Sequence, residues 1–316
     1  MTQPDNFCAT FGRQSGEALA GTGAHPERMV LIRWPKSRWS YAMREAADMG
    51  GPLRDAIQTV TNAGWRVNLV DRKNDAGPIG RVIVVPRRQS FDIPPDHLAD
   101  FLLALAADNP LTEYRSTHAT AEVVLCCTHG QHDRCCAKFG FAAYRLLAAA
   151  AQEYRDRFDV WESTHLGGCR FSGNAVFTRS MRKYGRIGAT DAAAIIAAES
   201  NGQAWLPSLR GTSHLSPEAQ VAEIAALQAI GGHTQYPALE IDLLQATDSA
   251  RDFHVKTHAG VYFVRCEATI SRSHDSCSDL GDDLPLKERQ AWTAVQVRKG
   301  VTPRANDLAA ADGAGR

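Results

Sequence analysis

Residues 122–136 read EVVLCCTHGQHDRCC, and residues 137–157 continue AKFGFAAYRLLAAAAQEYRDR. The apolar, β-branched start is typical of a short buried strand. The continuation, rich in Ala and Leu, predicts a helix from about Cys135 to Arg157. FDVWES at 158–163 then predicts another strand. The loop between the first strand and the helix thus leaves a strand end of an α/β unit, a common place for a binding site.

The same order of elements is predicted upstream and completed downstream. Upstream, the pattern predicts strands at 29–35, 66–72 and 81–88, a helix at about 40–63 with a break at 50–52, and a helix at 97–108. Downstream, it predicts strands at 174–180 and 183–188 and a helix at 190–200 with Thr190 as its N-cap. The first stretch has the order β-α-β-β-α, and the second resembles it, with one further strand at 183–188. The sequence therefore predicts an α/β protein with two related units packed together.

After residue 201 the pattern is less regular. It predicts a helix at 216–232, a β-hairpin at 253–270, a polar loop at 271–283, a last strand at 292–300 and a disordered tail at 305–316. We therefore divide the chain into a first unit at 1–115, a second unit at 116–203 and a small mixed C-terminal extension at 204–316.

Composition excludes some function classes. Lys plus Arg and Asp plus Glu both number 35, so the formal charge is zero and a general nucleic-acid binder is disfavoured. No apolar stretch approaches the ~18 residues of a membrane span, and the opening residues show no secretory pattern. We expect a cytoplasmic protein that binds neither nucleic acid nor membranes, and a homodimer is compatible with the sequence.

The eight cysteines lie at positions 8, 126, 127, 135, 136, 169, 266 and 277. Five of them fall between residues 126 and 169, and in a reducing compartment such a cluster indicates metal binding or catalysis before disulfides. Thiolates with an imidazole select zinc, copper(I) or an iron–sulfur cluster. The chain has no C-x-x-C dithiol and no zinc-deaminase motif. Spacing leaves zinc and an iron–sulfur cluster open and favours the latter.

Two motifs also resemble a known family. CTHGQHDRCCAKFG at 127–140, followed by WESTHLGGCRF at 161–171, resembles the sucrase/ferredoxin-like family, and so do FCATFGRQSGEALAGTG at 7–23 and MVLIRWP at 29–35. The resemblance covers about residues 8–200. It implies thioredoxin-like units, the second of which carries a 2Fe–2S cluster. Carried over to this chain, the cluster ligands are Cys127, Cys136, His165 and Cys169. Many relatives have a second histidine where this chain has Cys169.

Cys126 and Cys135 are also nine residues apart, but the family pattern favours Cys127 and Cys136. Cys8, Cys266 and Cys277 are expected to be ordinary packing or surface residues. The resulting hypothesis is a one-electron carrier that serves an unidentified redox partner protein. Two alternatives are a zinc-stabilised binding module and a thiol-dependent oxidoreductase with Cys135 or Cys136 as its nucleophile. No paired-carboxylate motif supports the word sucrase in the family name.

Overall fold

The computed structural model describes residues 7–73, 77–85, 87–154, 156–231, 239–282 and 284–300. Its first part contains helices α1 (Cys8–Gln14), α2 (Gly51–Asn62) and α3 (Leu98–Ala106) and strands β1 (Met29–Arg33), β2 (Arg66–Asp71), β3 (Arg81–Val85), β4 (Gln89–Asp92) and β5 (Ser116–His118). The next part contains strands β6 (Glu122–Cys127), β7 (Phe158–Ser163), β8 (Ala175–Phe177), β9 (Arg182–Tyr184) and β10 (Leu209–Thr212), a π-helical turn (Cys136–Gly140), and helices α4 (Phe141–Ala150) and α5 (Ala189–Ser200). The last part contains helices α6 (Pro217–Ala229) and α7 (Cys277–Gly281) and strands β11 (Glu240–Ala246), β12 (Ala250–Thr257), β13 (Gly260–Ser273) and β14 (Lys287–Lys299).

Strands β1 to β10 form one mixed sheet in the order β10-β9-β8-β6-β7-β2-β1-β3-β4-β5. In the first half, β1 is parallel to β2 and antiparallel to β3. In the second half, β6 is parallel to β7 and antiparallel to β8. The halves meet where β2 pairs antiparallel with β7, with Val70 opposite Ser163. The predicted α/β class is thus confirmed. Both halves lie in one continuous sheet, and each has the order β-α-β-β-β-α, with one strand more than predicted in the first half.

Side-chain alternation along β6 sends its two cysteines to opposite faces of the sheet. Cys126 packs with Val124 in a core that also contains residues of α4 and α5. Cys127 packs with Leu125 in a core that also contains residues of β1, β3, α1 and α7. We call the latter the shared core, because both halves of the sheet contribute to it. A separate core lies between the first half of the sheet and helices α2 and α3.

Strands β11 to β14 form an antiparallel sheet that packs on α6. The predicted hairpin is present, since Thr257 at the end of β12 pairs with Gly260 at the start of β13. Strand β5 pairs with β4 and strand β10 with β9. The division into 1–115, 116–203 and 204–316 stays a prediction. None of the helices in the described part of the chain has the length and apolar content that a membrane span requires.

Three local predictions were wrong, and one lies outside the described residues. The helix predicted from Ser40 begins only at Gly51, because Pro52, with no N–H group to leave unpaired, suits the first turn of a helix. Helix α5 is capped at Gly188, whose N–H donates to the Asp191 carboxylate at 3.0 Å, and not at Thr190. The polar loop predicted at 271–283 instead contains the end of β13 and helix α7. The tail at 305–316 lies outside the described residues.

Candidate metal centre

The first predicted motif brings Cys127 and Cys136 together. Cys127 is the last residue of β6, and Cys136 begins the π-helical turn that leads into α4. Their sulfur atoms are 3.3 Å apart. Gly140 closes this turn against the strand so tightly that a Cβ atom there would lie 2.0 Å from the Cys127 carbonyl oxygen. A glycine is therefore needed for the close approach of the turn to the strand end.

The second motif brings His165 and Cys169 to the same place. They lie in the loop after β7, where Cys169 Sγ is 3.5 Å from His165 Nδ1 and 3.9 Å from Cys136 Sγ. The ligand atoms of Cys127, Cys136 and His165 also lie within 4.8 Å of one another. All four residues predicted to bind the cluster therefore converge on one site. Cys126 faces the opposite core and does not reach it.

The backbone of the second loop is held by side chains from other elements. Gly167 and Gly168 have φ angles of 87° and 81°, in the left-handed region that favours glycine. The carbonyl oxygens of residues 165–168 each accept a hydrogen bond from a different side chain, in chain order those of Arg66, Lys183, Arg210 and Asn174. Because neighbouring elements hold each of these carbonyls, the loop presents His165 and Cys169 in a defined conformation.

Two of these side chains, the guanidinium groups of Arg66 and Arg210, place positive charge near the thiols. Burial lowers the pKa of Arg66 to about 10 and that of Arg210 to about 9, so both stay protonated at neutral pH. Burial and the charge of Arg210 also lower the pKa of Lys183 well below its usual value, while the charge of Cys127 opposes this shift. Buried thiolates need such compensation, because low-dielectric surroundings disfavour isolated charge. The site is therefore suited to hold sulfur in its anionic form.

The pKa shifts of Cys127 and His165 favour an ionised pair, whereas the hydrogen bond with Cys127 raises the pKa of Cys136 well above its usual value. The hydrogen bond from Cys136 lowers the pKa of Cys127 well below its usual value, against the effect of burial, and His165 adds to this shift. Burial opposes protonation of His165, but hydrogen bonds and charges of Cys127 and Cys169 raise its pKa to about 10. These directions favour a thiolate on Cys127 beside a protonated His165 ring. Metal binding at this site would release the imidazolium proton.

Two more histidines, His129 and His132, lie at the site; as loop residues of the first motif they were expected either to donate hydrogen bonds to the ligands or to be solvated. His129 is fully buried; its Nε2 donates to the Ser40 carbonyl at 2.7 Å, and its Nδ1 accepts from the His165 N–H at 3.4 Å. The ring of His132 lies 4.3 Å from that of His165. His132 Nδ1 is buried and has no hydrogen-bond partner among the described residues. Their position in the C-x-H-x-x-H run of the first motif was the available signal.

The histidine side of the site is the side nearest to solvent. Cys127, Cys136 and Cys169 are at most 3% exposed, whereas His132 and His165 are partly exposed. The ring of Tyr41, which is 67% exposed, lies 5.4 Å from that of His132. We call Tyr41, His132 and His165 the histidine edge. A partner molecule would approach the buried sulfur atoms most closely across this edge.

The donor set fits a metal centre. Three thiols and one imidazole are the ligands that zinc and iron–sulfur clusters take. The unpartnered Nδ1 of His132 offers a further donor, since its ring belongs to a group with His165 and Cys169 whose ligand atoms lie within 4.8 Å of one another. Cysteine and histidine groups of the chain can thus hold a metal.

Comparison with family profiles decides the relationship of the chain. The profile of the sucrase/ferredoxin-like family matches residues 19–211. The chain belongs to the sucrase/ferredoxin-like family. Comparisons with curated proteins and with solved structures gave no match. In this member of the sucrase/ferredoxin-like family, the match includes both motifs of the site and nearly the whole ten-stranded sheet, and it leaves α1, α6 and the second sheet outside.

Proposed function

We propose that this protein is a one-electron carrier whose 2Fe–2S cluster is bound by Cys127, Cys136, His165 and Cys169. One observation carries the proposal: in a chain of the sucrase/ferredoxin-like family, these residues of two distant motifs converge, with 3.3–3.9 Å between neighbouring sulfur and nitrogen atoms. Such a cluster supplies reversible one-electron oxidation and reduction, and its ligands and their hydrogen bonds tune the potential.

The fold supports a related part of the proposal, that each half of the large sheet is a thioredoxin-like unit. Strands β2-β1-β3-β4 and β7-β6-β8-β9 have the same order, with a parallel pair at one end followed by two antiparallel strands. In the second half the metal motifs follow β6 and β7, the two parallel strands. The candidate cluster would then lie beyond the carboxyl ends of that parallel pair, where α/β folds commonly bind ligands.

The side chains around the site have definable tasks in this function. Arg66, Lys183 and Arg210 hold the loop carbonyls, and the two arginines offset negative charge on sulfur. His129 orients the backbone N–H of His165. The histidine edge gives a redox partner protein its shortest approach, while burial of the thiols keeps solvent away from sulfur. We place this activity in the cytoplasm, where thiols stay reduced.

The alternative of a thiol-dependent oxidoreductase is disfavoured by burial. Cys135 and Cys136, its predicted nucleophiles, are both 0% exposed. A nucleophilic thiolate has to meet its substrate, and reactive cysteines are therefore partly exposed. A zinc-stabilised binding module uses the same donors and is separated from the proposal by metal analysis.

The experiment compares two adjacent cysteines. Full-length protein is purified without oxygen, and its iron, acid-labile sulfide, zinc and visible absorption are measured for wild type, Cys127→Ser and Cys126→Ser. Both side chains are at most 1% exposed, but only Cys127 lies at the site. We expect iron and sulfide in equal amounts, two of each per chain as the cluster formula requires, in wild type and Cys126→Ser.

Cys127→Ser should lose both iron and sulfide. If Cys126→Ser lost iron and sulfide and Cys127→Ser kept them, the cluster ligands would be Cys126 and Cys135 instead of Cys127 and Cys136. Zinc at the site without sulfide, in protein produced with sufficient iron, would replace the electron-carrier function with the zinc-stabilised alternative.

A further inference from the structure

A second group of thiols lies behind the first site. Cys8 of α1, Cys135 of the loop after β6 and Cys277 of α7 meet in the shared core. The sulfur of Cys135 is 3.5 Å from that of Cys8 and 3.2 Å from that of Cys277, and Cys8 and Cys277 are 3.8 Å apart. All three are at most 3% exposed. The expectation that Cys8 and Cys277 are ordinary packing or surface residues therefore misses their convergence with Cys135.

A buried carboxylate completes the group. Asp133 is 4% exposed, and one of its carboxylate oxygens lies within 4.8 Å of all three sulfur atoms. Its Oδ1 accepts from the Cys135 N–H at 2.7 Å, and its Oδ2 accepts from the Cys277 N–H at 2.8 Å. The backbone of two of the three cysteines is therefore locked to the carboxylate that faces the thiols. The Ala9 N–H also donates to Cys135 Sγ at 3.4 Å.

The spacing of the sulfur atoms suits one tetrahedral ion. With zinc–sulfur bonds of about 2.3 Å, the sulfur atoms of a tetrahedral site lie ~3.8 Å apart. The observed separations of 3.2–3.8 Å are those of one face of such a tetrahedron, slightly contracted. The carboxylate oxygen takes the fourth corner. Thiolate and carboxylate oxygen are both established zinc ligands, and structural zinc sites have four protein ligands and are closed to solvent.

We propose that Cys8, Cys135, Cys277 and Asp133 form a structural zinc site, separate from the cluster site. A single disulfide would use two of the three thiols and leave the third beside it, whereas one ion uses all three. Cys8 and Cys277 lie outside the 19–211 range of the family match. The site thus joins the two parts of the chain outside that match to the loop that carries the cluster motif.

The proposed zinc has a mechanical consequence for the first site. Cys8 and Cys277 are separated by 269 residues in sequence, so an ion between them crosslinks α1 and α7 through Cys135. Cys135 is followed directly by Cys136, which faces the other site. A fixed Cys135 therefore restricts the backbone that presents Cys136. Zinc should slow the loss of iron without binding to the iron site.

The test measures zinc and iron together in full-length protein purified without oxygen. We expect one zinc per chain in wild type, beside the iron. Cys8→Ser and Cys277→Ser should lose the zinc and keep most of the iron, which should then be released several-fold faster to a chelator. Cys127→Ser should keep the zinc. Cys266→Ser is the matched control, since Cys266 is 0% exposed in a different core and should leave both metals unchanged.

The outcomes separate this proposal from the proposed function. Loss of zinc in Cys8→Ser supports the zinc site even if wild type holds no iron. The zinc proposal would be overturned if wild type held no zinc or held iron at this site. It would also be overturned by a disulfide among the three cysteines, detected as a two-dalton decrease in mass. If Cys277→Ser does not fold, Cys277→His keeps a zinc ligand there and should fold with zinc bound. A Cys277→His protein that folds without zinc would also overturn the proposal.

Discussion

Gly140→Ala tests how closely the π-helical turn has to approach β6. Gly140 has helical angles, φ −66° and ψ −44°, so alanine is compatible with its backbone. In an open helix the exchange would stabilise the protein by ~1 kcal/mol. At this position the new Cβ would lie 2.0 Å from the Cys127 carbonyl oxygen, a backbone atom that cannot rotate away. At Gly140 the clash with the Cys127 carbonyl oxygen therefore opposes the higher helix propensity of alanine.

The size of the effect follows from the displacement. Contacts below 3.0 Å essentially do not occur, so the turn and the strand end have to separate by at least the 1.0 Å between 2.0 and 3.0 Å. Overpacking of this kind costs ~1–3 kcal/mol and occasionally more. We expect the free energy of unfolding to fall by about 2 kcal/mol. The equilibrium constant for unfolding would then rise by up to roughly thirtyfold. The same movement would widen the 3.3 Å separation of the Cys127 and Cys136 sulfur atoms.

The assay combines urea unfolding, followed by circular dichroism, with the rate of iron release to a chelator. Gly281→Ala is the control, since a Cβ atom at Gly281 would have no heavy atom within 4 Å, and the exchange should leave the free energy of unfolding unchanged or raise it by ~0.4–1 kcal/mol. We expect Gly140→Ala to unfold at lower urea and to release iron at least several-fold faster. Wild-type stability and iron retention in Gly140→Ala would refute the argument that this contact positions the site.

Three other substitutions test different parts of the structure. Burial and the neighbouring Glu199 raise the pKa of Glu122 from 4.5 to about 7. The carboxyl group of the folded protein therefore holds its proton more tightly than that of the unfolded chain. Up to ~3 kcal/mol of the free energy of unfolding should be lost as the pH rises from about 4.5 to 7. Glu122→Gln, which keeps an acceptor for the Arg179 and Ser180 N–H groups, should flatten this loss in urea unfolding at pH 5 and 8; an unchanged pH profile would exclude Glu122 as its source. Gly168→Ala, with φ 81° and a Cβ 2.8 Å from a guanidinium nitrogen, should destabilise by ~2 kcal/mol and lower iron content, and full iron retention would show that this loop tolerates a side chain. Cys169→His should keep the cluster and raise its reduction potential in a redox titration, because a neutral imidazole replaces an anionic thiolate; an iron-free protein would argue against Cys169 as a ligand.

The sequence predicted those features that depend on neighbours along the chain. Strand periodicity and helix composition identified the α/β class and the repeated order of elements, because those patterns are local. The four proposed ligands came from two short motifs and a family resemblance. The family pattern favoured Cys127 over Cys126, and only the structure shows that the two side chains face opposite sides of the sheet and that Cys127 faces the site. The helical part predicted before the break at 50–52 was wrong, because composition alone did not show that helix α2 begins only at Gly51.

Tertiary structure alone decided which distant side chains share a site. Arg66, Lys183 and Arg210 hold the ligand loop from strands on both sides of it, and nothing in their local sequence indicates this task. Cys8 and Cys277 each look like an isolated cysteine, yet folding brings their sulfur atoms to 3.8 Å from each other. Such contacts depend on how strands pair across the sheet and how α1 and α7 pack on its shared core. A local pattern carries no information about these long-range pairings, because they follow from burial of apolar surface over the whole chain.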